Sequence, residues 1–175
     1  MQNVQQKAEQ IKLVIFDVDG VLTDGTLFLG DDGQEYKAFN AKDGHGMVML
    51  RNSGVIIGII TARTSNVVTK RMAGLGITHV YQGQKNKVVA FEQLLKDCNL
   101  TEQQVAFVGD DVVDLAVMGR VGLAVAVGDA CAIVKQYADW VTPNNGGRGA
   151  ARDLCEFIMM AQGTWEKALA PFLPK

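Results

Sequence analysis

The chain has 175 residues, 48% of them hydrophobic and 21% charged, with a formal net charge of −2. That length supports one core rather than two, the mix excludes disordered and fibrous classes, and the charge balance leaves no footprint for nucleic acid. No apolar run reaches the ~18 residues that a membrane span needs. The first eleven residues, MQNVQQKAEQI, lack the apolar core of a signal peptide, so a soluble cytoplasmic domain is expected. Cys98, Cys131 and Cys155 are odd in number and far apart, which reads as buried reduced thiols rather than disulfides or a zinc site.

In chain order, residues 1–10 form a polar arm, expected to be a helical or frayed lead-in to a domain spanning 11–162. Leu13-Val14-Ile15-Phe16 is a short apolar run stopped by Asp17, the pattern of a strand buried on both faces. Residues 25–39 (GTLFLGDDGQEYKAF) carry two β-rich arms around Gly30-Asp31-Asp32-Gly33, a hairpin signal. Placed directly after the first strand, this hairpin leaves no room there for a full helix and would stand over the carboxyl edge of the sheet. Further strand runs follow at 55–60, 79–81, 105–108, 123–127 and 140–141. Between them, 64–75 and 86–98 have helical apolar spacing, and Leu115, Val117 and Met118 mark a shorter helix. After a Gly/Pro-rich link at 143–149 come an amphipathic helix, 150–162, and a tail, 163–175. Strands alternating with helices predict a doubly wound α/β fold with a mostly parallel sheet, one inserted hairpin and no separate cap domain.

Polar residues gather at the predicted strand ends, where ligands bind in open α/β folds. Asp17 and Asp19 follow the first strand, and Asp17-Val18-Asp19-Gly20 could be a plain polar turn if read alone. Thr61 ends the second strand, either as a helix cap or as one wall of a phosphate-oxygen cradle. Lys85 and Lys87 follow the third; a lysine opening a helix meets an unfavourable dipole and is better placed with an anionic partner. Gly109-Asp110-Asp111 end the fourth strand, with Asp114 one turn later. Carboxylates crowded like this repel one another unless a cation lies between them. Four signals on four successive strands outline a hard-cation site beside a phosphate site, and magnesium suits the oxygen donors.

Asp17-x-Asp19, Thr61, Lys87 and Gly109-Asp110-Asp111 resemble the four ordered motifs of the haloacid dehalogenase-like phosphatases. The likeness spans roughly residues 11–162. The blocks FDVDGVLTDG, FNAKDGHGM, IITAR, GITHVYQGQKNK, VGDD and GGRGAAR look like the cap-less branch typified by 3-deoxy-D-manno-octulosonate 8-phosphate phosphatase, of lipopolysaccharide precursor biosynthesis. The resemblance implies Asp17 as nucleophile through an aspartyl-phosphate, and Asp19 as general acid and then base. It implies magnesium held by Asp17, the Asp19 carbonyl and Asp110, and Thr61 and Lys87 on the phosphoryl oxygens. Asp111 and Asp114 would orient waters or Lys87. For the sugar it implies Asn40, Ala41, Lys42, Asp43 and Gly44 with Arg63 and Arg71, and a homotetramer in which hairpins pack together and Arg148 reaches a neighbouring site.

Bland readings stand beside these. Asp43-Gly44 could cap a helix, Arg71 could be a solvated helix residue, and Arg148 an exposed loop residue. The branch often has a basic residue where this chain has Val48, which leaves the sugar open. A related nine-carbon keto-deoxy acid phosphate is the alternative substrate, and a non-catalytic binding module the alternative class; the intact Asp17, Asp19, Thr61, Lys87 and Asp110 speak against the latter. A phosphomutase or phosphonatase would need a larger cap to exclude water. His79 reads as structural, while His45, next to the sugar segment, could face ligand or core.

Overall fold

The computed structural model describes residues 3–174. The polar arm forms α1 (Val4–Glu9), started by a capping box in which Asn3 and Gln6 satisfy each other's free amides. Ala8 and Ile11 are buried, so the arm closes onto the domain. Next comes β1 (Leu13–Phe16), with all four side chains inaccessible. Burial of each contributes roughly 1.5–3 kcal/mol, which holds this strand at the centre of the sheet.

The hairpin is present but short. Its arms, β2 (Phe28–Leu29) and β3 (Glu35–Tyr36), pair only as Phe28↔Tyr36 and Leu29↔Glu35. No helix stands between β1 and the hairpin, as expected; one follows it instead, α2 (Ala41–Asn52), which begins where the Asn40 side chain accepts the amides of Lys42 and Asp43. Gly44 and Gly46 hide the first turns of this helix from pattern reading, because contacts there are made by backbone approach, while Met47, Met49 and Leu50 bury side chains further on. A Cβ on Gly44 would lie 2.2 Å from the Arg71 guanidinium, and one on Gly46 2.7 Å from Arg152.

The remaining elements are β4 (Ile56–Ile60), α3 (Asn66–Gly74), β5 (His79–Tyr81), α4 (Lys87–Cys98), β6 (Val105–Gly109), α5 (Leu115–Met118), β7 (Leu123–Ala126), α6 (Ala132–Tyr137), β8 (Trp140–Val141), α7 (Ala150–Ala161) and α8 (Trp165–Leu169). The strands form one parallel sheet in the order β5-β4-β1-β6-β7-β8. From β1 the chain winds outward to β5, then returns to β6 and winds the other way. Reversal beside β1 opens the crevice at the carboxyl ends of β1, β4 and β6. Helices α1, α2 and α7 pack together, and α4, α5 and α6 form a second group. Among the cysteines only Cys155 is buried; Cys98 is half-buried and Cys131 exposed, which corrects the expectation of three buried thiols.

Candidate active site at the carboxyl edge

Asp17 leaves β1 with its carboxylate already engaged. Oδ1 accepts the Val18 amide at 2.7 Å and Oδ2 lies 2.6 Å from the Lys87 ammonium. Lys87 is the first residue of α4, where a cation opposes the helix dipole. Two carboxylates resolve that conflict, because Asp114 also lies 2.6 Å from Lys87 Nζ. Burial works against the charge on Lys87, yet attraction to Asp17 and Asp114 wins and raises its pKa. The other oxygen of Asp114 accepts the amides of Asp110 at 3.0 Å and Asp111 at 3.4 Å. Asp114 therefore ties the loop after β6 to Lys87.

Asp17, Asp110 and Asp114 each bring an oxygen within 4.8 Å of the others. Burial pushes Asp110 up to about 7, helped by the negative charges of Asp114 and Asp17. Burial likewise pushes Asp17 up to about 6, outweighing the pull of Lys87. The cluster thus holds more negative charge than its own cation neutralises. Asp114 is fully buried beneath Lys87 and the loop amides, whereas Asp17 and Asp110 keep some exposure to the crevice, so these two are the carboxylates placed to meet a hard divalent cation. An all-oxygen donor set of this charge fits magnesium.

Thr61 is buried just past β4; its amide donates to Tyr81 O at 3.0 Å and its carbonyl accepts the Gln84 amide at 2.9 Å. It does not cap α3, because Ser65 occupies the cap position. Lys85 is exposed. Asp111 caps the turn that follows β6 through the Val112 amide at 2.7 Å, and its carboxylate also accepts the Cys131 thiol at 3.4 Å.

Gly20 closes the site from the β1 side. It has φ +87°, and a Cβ there would fall 2.1 Å from the Asp110 carboxylate. Gly146 packs against the same loop, its Cβ position only 1.8 Å from Gly20 O. The glycine-rich link at 143–149 is therefore pressed onto the loop that carries Asp17 and Asp19, and Gly147 N donates to Val21 O at 2.8 Å.

The sugar candidates divide into two groups. Arg63 is exposed and reaches Glu35 at 3.1 Å and Asp19 at 3.9 Å. Asn40, Gly44 and Arg71 form another cluster: Arg71 donates to Asn40 O at 3.4 Å, and its guanidinium lies 5.9 Å from the centre of the Phe39 ring. The Asn40 side chain donates to Gly147 O at 3.4 Å. Ala41 and Lys42 are exposed at the first turn of α2. Asp43 is buried, and its oxygens accept the amides of Gly149 at 3.2 Å and Arg152 at 2.9 Å, so it caps α7. Arg148 pairs with Asp24 at 2.9 Å within the same chain.

His45 and Val48 lie elsewhere. Both line an apolar cavity of about 290 Å³ between α2 and the C-terminal tail, where His45 meets Phe172 edge to face at 5.1 Å. His79 lies 3.9 Å from Cys98 Sγ, a packing contact. Two residues unread in the sequence complete the site. Lys37 and Glu35, on the second arm of the hairpin, turn back into the crevice; Lys37 donates to Asp19 and lies 3.0 Å from Glu35. Only the hairpin's return over the sheet brings them there, and no local pattern signals it.

A family described as haloacid dehalogenase-like hydrolase matches residues 56–154. The chain belongs to that family. It is 48% identical, over 95% of its length and 88% of the relative's, to 3-deoxy-D-manno-octulosonate 8-phosphate phosphatase KdsC of Escherichia coli BL21-DE3. The solved structure of the phosphatase of that name from Yersinia pestis matches with TM-score 0.92 and 46% identity, covering 93% of this chain and 88% of that one. Its counterpart from Moraxella catarrhalis, solved with magnesium, phosphate and KDO, matches with TM-score 0.95 and 39% identity over 97% and 98% of the two chains.

Proposed function

We propose that this chain is a magnesium-dependent phosphomonoesterase that hydrolyses 3-deoxy-D-manno-octulosonate 8-phosphate, a step toward lipopolysaccharide precursors. The single observation that carries the reading is the Asp17–Lys87–Asp114 chain of contacts beside Asp110, at the strand ends of a fold shared with KdsC relatives. An Asp17 oxygen attacks phosphorus, the bond to the sugar oxygen breaks, and Asp19 protonates that oxygen as it leaves. Asp19 then takes a proton from water as the water attacks the aspartyl-phosphate, which releases phosphate and restores Asp17. Thr61 and Lys87 hold the phosphoryl oxygens and offset the charge that develops on them. Asp17, Asp110 and the Asp19 carbonyl would hold magnesium, which when bound neutralises phosphate charge and draws the nucleophile and phosphorus together.

Arg63, Arg71 and the 40–44 segment take the sugar acid, whose carboxylate suits an arginine fork. Asp43 serves there by capping α7, which fixes the start of α2 against the 143–149 link. Leu27, Phe28, Leu29 and Tyr36 are exposed on the hairpin, a burden for a monomer and a natural subunit contact. They support a homotetramer in which neighbours close the site and Arg148 exchanges Asp24 for a substrate next door. No helix among the described residues is long and apolar enough to cross a membrane. A multiply charged sugar phosphate does not cross a bilayer unaided, so the reading expects work in the cytoplasm.

The test is phosphate release from a panel of eight- and nine-carbon keto-deoxy acid phosphates and simple hexose phosphates, with magnesium and with excess chelator. The eight-carbon acid should be preferred and chelation should abolish turnover. Preference for the nine-carbon acid would reassign the substrate, and turnover in chelator would overturn the mechanism.

A further inference from the structure

We propose that Lys37, on the hairpin rather than on any strand of the sheet, is a positioning residue for Asp19, an inference that rests on the phosphatase reading above. Asp17 is anchored by its neighbour's amide and by a buried lysine. Asp19 has neither. Among the described residues its carboxylate meets Lys37 directly and Arg63 at 3.9 Å, and it accepts no amide of its own loop.

Lysines normally keep their ammonium in water. The Lys37 side chain is 1% exposed, although it projects from a hairpin whose Leu27, Phe28, Leu29 and Tyr36 face solvent. Its position is fixed from two sides, by Asp19 and by Glu35 at 3.0 Å. Glu35 is held in turn by Arg63 at 3.1 Å, and Arg63 approaches Asp19 again. The four side chains close a ring of alternating charge. Burial disfavours the charge on Glu35, but hydrogen bonds from Lys37 and Arg63 outweigh it and keep its pKa below the usual range. With only two residue pairs in the hairpin ladder, this ring is the main polar tie between β3 and the crevice.

The consequence falls on proton transfer. A general acid works only when its oxygen is aimed at the departing atom, and a misplacement of about 1 Å costs on the order of 10² in rate. Lys37 sets that aim for Asp19, so a residue of the hairpin governs a step at the end of β1.

The experiment compares kcat/KM, which covers steps up to leaving-group departure, on two substrates. The sugar 8-phosphate loses an alkoxide-like oxygen that needs a proton, whereas p-nitrophenyl phosphate loses a phenolate that does not. Lys37→Met, which keeps the stem, should lower the sugar-to-aryl ratio of kcat/KM by at least about ten-fold, and Lys37→Arg should restore most of it. Lys37→Gln serves as the second variant, with melting curves confirming that each one folds. A ratio equal to the wild type's, or loss on both substrates in proportion, overturns the proposal. Failure of the wild-type protein on the sugar phosphate would instead overturn the functional reading, with the ratio never entering.

Discussion

The Asp114 carboxylate lies 2.6 Å from the Lys87 ammonium, and both side chains are sealed from solvent. Removal of one partner from a buried pair leaves an uncompensated charge and costs about 3–5 kcal/mol. Here Lys87 also separates Asp114 from Asp17. Lys87→Met should therefore lower the melting temperature of the metal-free protein by roughly ten degrees. Magnesium should recover part of the loss, and kcat should fall by about 10²–10³. Calorimetry and a phosphate-release assay check both; an unchanged melting temperature would contradict the burial described.

Asp17→Asn keeps the shape of the side chain and removes the proposed nucleophile. The variant should fold with unchanged circular dichroism and retain less than a few per cent of turnover. Asp19→Asn should differ: magnesium still binds, as titration calorimetry would report, while turnover slows by about 10²–10⁴. Complete loss of metal binding in Asp19→Asn would show that its carboxylate, not its carbonyl, is the ligand.

Asp110 supplies a pH dependence with a definite sign. Its pKa rises from 3.8 in the unfolded chain to about 7 in the fold. Between those values the folded state binds more protons than the unfolded state, so this group makes stability fall as pH rises toward 7. Metal-free Asp110→Asn should thus melt several degrees above wild type at pH 8, with the difference shrinking toward pH 5. Saturating magnesium should reverse the order at pH 8, because it binds the wild-type site. A constant difference across pH would show that Asp110 is not under strain.

Calcium should replace magnesium in binding but not in turnover. Its larger and looser coordination shell shifts the nucleophile relative to phosphorus, and small displacements cost rate steeply. Activity with calcium near that with magnesium would mean that the cation does not set the geometry of attack.

Phe28 and Leu29 are 51% and 67% exposed on β2. Leu29→Glu should break a tetramer into smaller species, with light scattering reporting a mass near that of one chain, 18.9 kDa, in place of four times that value. A wild-type protein that already scatters as a monomer at full activity would dismiss assembly through the hairpin.

The sheet was legible because its central strands are buried on both faces, so runs such as Leu13–Phe16 carry their own signal. The polar strand ends were legible for the same reason: carboxylates after an apolar run have nowhere to go but the crevice. α2 escaped because Gly44 and Gly46 bury close backbone contacts in its first turns, leaving only Met47, Met49 and Leu50 as buried apolar side chains. α6 and α8 are short and bury little, Val134 alone in the first and no residue fully in the second. Val48 stands where the branch often has a basic residue, and in the fold it lines the tail cavity together with Pro171 and Phe172. Lys37 was invisible for a different reason. Its partner is eighteen residues earlier, and only the docked hairpin makes them neighbours.

Asp43 reaches across 106 residues of chain to cap α7 at Gly149. That span has a consequence in time. While a ribosome makes this protein, the central strands can pair once residue 109 has emerged. The start of α2 has its Asn40 cap and Arg71 by then, but Asp43 stays without partners until the 143–149 link and α7 arrive to press on Gly20 and donate their amides to it. Because domains form as units during synthesis, the crevice is completed only when almost the whole chain is free, and a chain truncated before α7 would have a sheet but no finished site.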